Sequence, residues 1–268
     1  MRRVIPLLAA LAALVLSPGR SAAAETVVIP GSGSMQSLLR DMAAAFNRST
    51  PGIVVEIPDS IGTGGGMKAA GEGTAIIARV GRKPGAKESA YGLEHQVFAK
   101  QPVVFATHPG VKIKSLTRAQ SRDLFSGKIT NWKALGGPDL AVTVIGRDPG
   151  ETNFQLIRAT LEEWKDLVLA PAAVIAKSDQ EMVQLIATRE GSVGFNVISE
   201  VLERNLAPLA IGPVIFTDLT YPLLIDAVFV YKPGAMTGAV KSFVDFVFTP
   251  EGARIIKAGH AFPVRRGP

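Results

Sequence analysis

Apolar residues fall along this chain in short blocks whose spacing changes from one block to the next. Residues 27–29 and 53–57 are brief runs rich in valine and isoleucine, which predicts buried strands. Between them Leu38, Leu39, Met42, Ala45 and Phe46 recur at the three-and-four spacing of one helix face, and Ser34 stands where that helix's N-cap belongs. Further strands are predicted over 103–106, 142–145, 193–195 and 223–230. Thr117 with Gln120 reads as a capping box for a helix through Leu124 and Phe125 that Gly127 ends, and Ser178 with Glu181 caps another through Met182, Leu185 and Ile186. Val240, Phe243, Val244, Val247 and Phe248 mark a late helix, and Thr249-Pro250 opens the last one. Strands alternating with helices, without repeats or a long linker, predict an α/β protein with largely parallel sheets.

The first residues do not fit that alternation. MRR is followed by an apolar run of 13 residues, 4–16, and then by Ser21-Ala22-Ala23-Ala24. A bilayer span needs about 20 apolar residues, so the run predicts a secretory signal peptide over 1–24, cut after Ala24, and a mature chain in a bacterial periplasm. The chain has no cysteine. That excludes disulfides, thiolate metal sites and a lipidated amino-terminal cysteine, so no lipid anchor is expected.

Formal charge is +6, and losing Arg2, Arg3 and Arg20 with the leader leaves +3. Lysine and arginine are scattered and aromatics make up only 6%. No nucleic-acid footprint is expected, although a modest positive field favours a small anionic ligand. About 244 residues remain, 47% of the whole chain being apolar, enough for one large domain or two ordinary ones.

Three strand-to-helix turns share one chemistry: residues 31–35, 62–67 and 147–153 combine glycine with hydroxyl, amide or guanidinium groups. Glycine lets backbone amides approach a ligand, and the helix that follows presents unpaired N–H donors and a partial positive charge. Each turn alone reads more readily as a solvated loop, and three of one kind bring an anion site level with that reading. The third carries Glu151 beside Arg147, a carboxylate where an anion would sit.

Nucleotide motifs fail, because Met67 separates Gly66 from Lys68 and no G-x-G-x-x-G is completed. Gly31-Ser32-Gly33-Ser34-Met35 is out of phase with G-x-S-x-G. His95, His108 and His260 lack a second metal ligand at metal spacing, and His108 before Pro109-Gly110 reads as a surface loop residue. No metal, cofactor or catalytic group is expected, leaving a hydrolase using Ser34 or His108 as the remote alternative. Trp132 and Trp164 read as core residues.

The residues resemble a family, the phosphate-binding periplasmic component of phosphate ABC transporters. The resemblance runs through nearly all the mature chain and rests on Gly31-Ser32-Gly33-Ser34, Gly62-Thr63-Gly64-Gly65-Gly66-Met67-Lys68, Phe125-Ser126-Gly127-Lys128-Ile129-Thr130-Asn131-Trp132, Arg147 with Gly150, Val193-Gly194-Phe195 and the stretch 243–252. It implies a bilobed class II periplasmic-binding-protein fold: residues 25–103 plus 223–268 as lobe 1, 104–222 as lobe 2, and chain crossings near 102–105 and 221–225. It further implies a monomer that captures phosphate or a similar oxyanion for a membrane permease. A sensory or accessory subunit on the same fold stays open beside it.

Carried over by position, Ser34 supplies a hydroxyl, Met35 an amide, Thr63 a hydroxyl and Gly64 an amide. Arg147 faces the anion, Gly150 keeps the turn tight, and Thr152 and Asn153 follow where the family has Gly-Thr. Two positions depart from the pattern. Glu151 replaces a serine, and Gly81 stands where the family places an aspartate that accepts a phosphate proton. Arg79 and Arg82 are expected to strengthen anion binding if they face the cleft, and Glu151 is expected to point outward or to pair with Arg147, Arg79 or Arg82.

Overall fold

A computed structural model describes residues 24–212 and 216–267. The expected signal peptide lies outside the described residues except for Ala24. β1 (Glu25–Val28) and β2 (Ile53–Glu56) run parallel, joined by α1 (Gln36–Ser49), which buries the predicted stripe of Leu38, Leu39, Met42 and Phe46. The helix start differs from expectation. Gly31, at φ 139°, lays the backbone against the Arg79 carbonyl, and Gly33–Met35 then tighten into one 3-10 turn. Ser32, not Ser34, caps that turn, and α1 begins at Gln36.

α2 (Gly62–Gly71) begins inside the second glycine stretch and sets Met67 and Ala70 against β3 (Ile77–Val80). β4 (Glu94–Thr107) extends well before the predicted 103–106, because Glu94, His95, Gln96 and Lys100 hide its first half from an apolar pattern. β5 (Ser115–Leu116), α3 (Arg118–Phe125), β6 (Thr143–Gly146), α4 (Thr152–Thr160) and β7 (Val174–Ile175) follow. Then come α5 (Asp179–Thr188), β8 (Ser192–Val197), α6 (Ile198–Glu203) and β9 (Ala207–Ile211). The chain returns through β10 (Leu224–Tyr231) to α7 (Gly238–Val247), α8 (Pro250–Ala258) and β11 (Phe262–Pro263).

Among the described residues β1 and β2 form one sheet, and the other strands join in a second ordered β3-β10-β4-β8-β6-β7, with β9 and β11 also on β4. The expectation of largely parallel sheets is corrected. β4 is antiparallel to β8, β9, β10 and β11, β10 is antiparallel to β3, and the parallel strand pairs among the described residues are β1/β2, β5/β9, β6/β7 and β6/β8. A chain that passes from one half to the other and back must lay its two crossing strands, β4 and β10, in opposite directions.

The apolar cores divide at those crossings. Ala99 and Ala227 belong to a core with Phe46, Phe98 and Phe243, while Val103 and Ile225 belong to another with Phe105, Phe195, Trp132 and Trp164. Two α/β lobes result, joined by continuous strands. Both tryptophans are fully buried as expected, their indole N–H groups donating to Gly191 O at 2.8 Å and Ser121 Oγ at 2.9 Å. No helix among the described residues is long and apolar enough to cross a membrane.

Candidate functional site

The first lobe shapes its turn with a buried arginine. Arg79 donates through Nε to Ser32 O at 2.9 Å, through Nη2 to Pro58 O at 2.6 Å and through Nη1 to Ile29 O. These contacts tie the ends of β1 and β2 to β3, and burial lowers the guanidinium to about 10. Arg79 therefore does not face the cleft. Thr63, in the first turn of α2, accepts the Gly81 N–H on Oγ1 at 3.1 Å.

The second lobe carries its charge into the opposite wall. β6 ends at Gly146, so Arg147 follows directly and is 7% exposed. Asp148 Oδ1 accepts from Gly150 N at 2.8 Å, which tightens the turn, and Glu151 becomes the N-cap of α4 by accepting from Phe154 N at 3.0 Å. Its other oxygen stands 3.9 Å from Arg147 Nη2. Of the expected partners for Glu151, Arg147 is the one it reaches. Arg82 is held by Glu88 at 2.7 and 3.1 Å, and Arg79 by carbonyls.

The two walls meet. Thr152 Oγ1 donates to Thr63 Oγ1 at 3.1 Å, Asn153 Nδ2 reaches Ser34 Oγ at 3.4 Å, and Gln180 Nε2 donates to Gly33 O at 3.2 Å. Between them lies a cavity of about 530 Å³, lined in part by Thr63, Gly64, Arg147, Gly150, Glu151, Thr152 and Asp179. Ser34, Met35 and Asn153 are buried and pack behind this wall rather than line it. First-turn residues of α2, α4 and α5 reach the cavity, so three partial positive charges converge there. Arg147 Nη1 and Asn153 Oδ1 are buried with no hydrogen-bond partner.

Burial pushes the Glu151 carboxyl up to about 7, with the field of Asp179 adding to it and Arg147 opposing it. Asp179 is raised as well, chiefly by burial, although Arg147, Ser34 and Asn153 favour its ionised form. Gly81 has a steric reason to lack a side chain: a Cβ there would stand 3.2 Å from Thr152 Cγ2 and 3.3 Å from Thr63 Oγ1. Any side chain at that position would require the two threonines that join the walls to give way slightly.

A family model described as a PBP superfamily domain matches residues 17–251. The chain belongs to the PBP superfamily. The phosphate-binding protein PstS of Borreliella burgdorferi is 24% identical over 271 residues, covering 96% of this chain and 97% of that protein. The phosphate-binding protein PstS of Bacillus subtilis is 27% identical over 241 residues, covering 85% and 77%. A Clostridium perfringens structure described as a phosphate ABC transporter substrate-binding protein with bound phosphate superposes with a TM-score of 0.79 at 28% identity, covering 90% of this chain and 100% of that one.

In this PBP superfamily chain the group that sequence reasoning missed is Asp179. It looks like an ordinary acidic residue in a helix's first turn, favoured there by the dipole whatever its surroundings. Only the fold brings it across the lobe junction, where a Cβ on Gly33 would meet its Oδ2 at 2.6 Å. The run from β7 into Ser178 is a fourth strand-to-helix turn, and including it would have exposed the residue. None of the three histidines lines the cavity, and His108 Nδ1 accepts from Gly110 N at 3.1 Å in a turn after β4.

Proposed function

We propose that this chain is an exported solute-binding protein that captures phosphate, or an oxyanion of its shape, and delivers it to the permease of an ABC transporter. The observation that carries this reading is the buried Arg147 whose Nη1 lacks a partner on a cavity faced by three helix N-termini. A buried charged donor left unpaired is costly, and an oxyanion supplies the bidentate acceptor it needs. The names of relatives spanning the chain at 24% and 27% identity, and the phosphate in the Clostridium perfringens structure, support phosphate over other anions.

In this reading Arg147 carries the main electrostatic contact, and Thr63, Gly64, Gly150 and Thr152 ring the anion from the cavity wall. Ser34, Met35 and Asn153 brace the two walls from behind or complete the ring as the cleft tightens. Lobe 1, residues 25–103 with 223–268, closes on lobe 2, residues 104–222, by bending at the crossing strands. Binding is reversible and no bond is made or broken. A leader over 1–24 takes the chain to the periplasm.

Isothermal calorimetry of the mature chain against phosphate, sulfate, molybdate and free amino acids tests this. Saturable heat with phosphate at a single site is expected. Saturable heat with an amino acid and none with any oxyanion would overturn the reading.

A further inference from the structure

The cleft carries both signs of charge. Its guanidinium, Arg147, is buried with Nη1 unpartnered, yet two carboxyls share the cavity wall with it. Glu151 Oε1 stands 3.9 Å from Arg147 Nη2, while its other oxygen caps α4. Asp179, 4% exposed, is held by an amide rather than by a cation, Asn153 Nδ2 standing 3.1 Å from its Oδ1. Burial makes both carboxyls costly to ionise, and the field of Asp179 adds to that cost at Glu151. One arginine cannot neutralise two carboxylates. The other arginines nearby are spent, Arg79 on carbonyls and Arg82 on Glu88, and Lys177 lines the cavity but is exposed, where solvent screens it.

The cavity is also larger than a bare oxyanion needs. Its walls already touch, Thr152 with Thr63 at 3.1 Å and Gln180 with Gly33 at 3.2 Å, and about 530 Å³ remains between them. An oxyanion of five heavy atoms takes the room of a few waters, on the order of 100 Å³ at ~30 Å³ each. Several hundred Å³ is the size of pocket that small organic ligands fill.

We propose that the cleft takes a zwitterion: a phosphonate or phosphate monoester whose tetrahedral end pairs with Arg147 and the helix N-termini, and whose short organic arm ends in a protonated amine held by Asp179 and Glu151. This rests on the oxyanion reading of the cleft and names the rest of the ligand. An ammonium group supplies the carboxyls with the cation that the fold withholds from them. It also turns their repulsion of an incoming anion into attraction for that anion's other end. Lobe 1 offers Thr63 and Gly64, which are neutral, so the discrimination between a bare and an aminated anion lies in the wall built by lobe 2.

Isothermal calorimetry of the mature chain at about pH 8 tests this with phosphate, ethylphosphonate, aminoethylphosphonate and phosphonopropionate, whose arm carries a carboxylate in place of the amine. The amine stays protonated at that pH, as a lysine does. Aminoethylphosphonate is expected to bind about tenfold to a hundredfold tighter than ethylphosphonate, and phosphonopropionate more weakly than either. Asp179→Asn or Glu151→Gln should cut the preference for the amine to about threefold or less. Ethylphosphonate that binds as tightly as the aminated compound, a preference that survives intact in both folded variants, or phosphate binding without phosphonate binding would overturn the zwitterion and leave the oxyanion reading standing. No saturable heat with phosphate or any phosphonate would overturn both. Where the variants fail to fold, the order of the three phosphonates in the wild type decides: amine tightest and carboxylate weakest supports the proposal, and any other order overturns it.

Discussion

Two buried arginines stand on opposite sides of the cleft and do opposite things. Arg79 is 0% exposed and gives its donors to the carbonyls of Ile29, Ser32 and Pro58, so its charge is consumed in fixing the first lobe's turn. Arg147 is 7% exposed, touches Glu151 loosely at 3.9 Å and keeps Nη1 without a partner. Burial is nearly the same and chemistry is identical. Under the proposed function, what separates the structural arginine from the binding one is whether the fold has already satisfied its donors.

The comparison breaks most visibly at Arg147. Arg147→Ala is expected to weaken phosphate binding by about a thousandfold, roughly 4 kcal/mol, with little change in unfolding midpoint. Arg79→Met should do the reverse: removing donors from buried carbonyls is expected to cost about 2–4 kcal/mol in urea unfolding. Binding that survives in Arg79→Met once it is folded, and folding that survives in Arg147→Ala, would sharpen the division of labour. The opposite pattern in both variants would erase it.

A smaller effect concerns Glu151 in the ligand-free protein. Its folded carboxyl sits at about 7 against an ordinary 4.5, so the native state holds more protons than the unfolded chain between those values. Stability from this group is therefore present at acid pH and lost as pH rises through about 7. Glu151→Gln keeps an oxygen for the Phe154 N–H cap and should melt about 2–4 °C above wild type near pH 8, the two curves converging near pH 5. Thermal melts across that range check it.

The smallest effect is at the threonine contact between the walls. Thr152→Val removes the donor to Thr63 Oγ1 at 3.1 Å and is expected to weaken phosphate binding by about fivefold to tenfold, about 1 kcal/mol, without altering the fold. Parallel calorimetry and circular dichroism separate the two effects.

Much of this was legible in the sequence because it depended on local rules. The α1 stripe, the Thr117–Gln120 capping box, the Thr249-Pro250 helix start and the buried tryptophans follow from spacing and turn chemistry. Arg147, Thr63, Gly64, Gly150 and Thr152 reach one cavity because strand ends of the two lobes face each other. What stayed hidden depended on long-range contact. The antiparallel crossing of β4 and β10 is a property of two strands far apart in sequence. The fate of Arg79 turns on carbonyls up to 50 positions away, and a basic residue in a strand gives no sign that it will face inward. Asp179 meets the turn at Gly33 only once both lobes exist, and meets Asn153 only once α4 and α5 pack within the second lobe.

The most direct test is nuclear magnetic resonance of the guanidinium groups in arginine-labelled protein, with Arg147→Ala and Arg79→Met used to assign the signals. On titration with phosphate, the Arg147 side-chain signal should shift strongly and slow its exchange with water, while the Arg79 signal stays in place. A saturating phosphate titration that moves the Arg79 signal and leaves Arg147 unchanged would contradict the account.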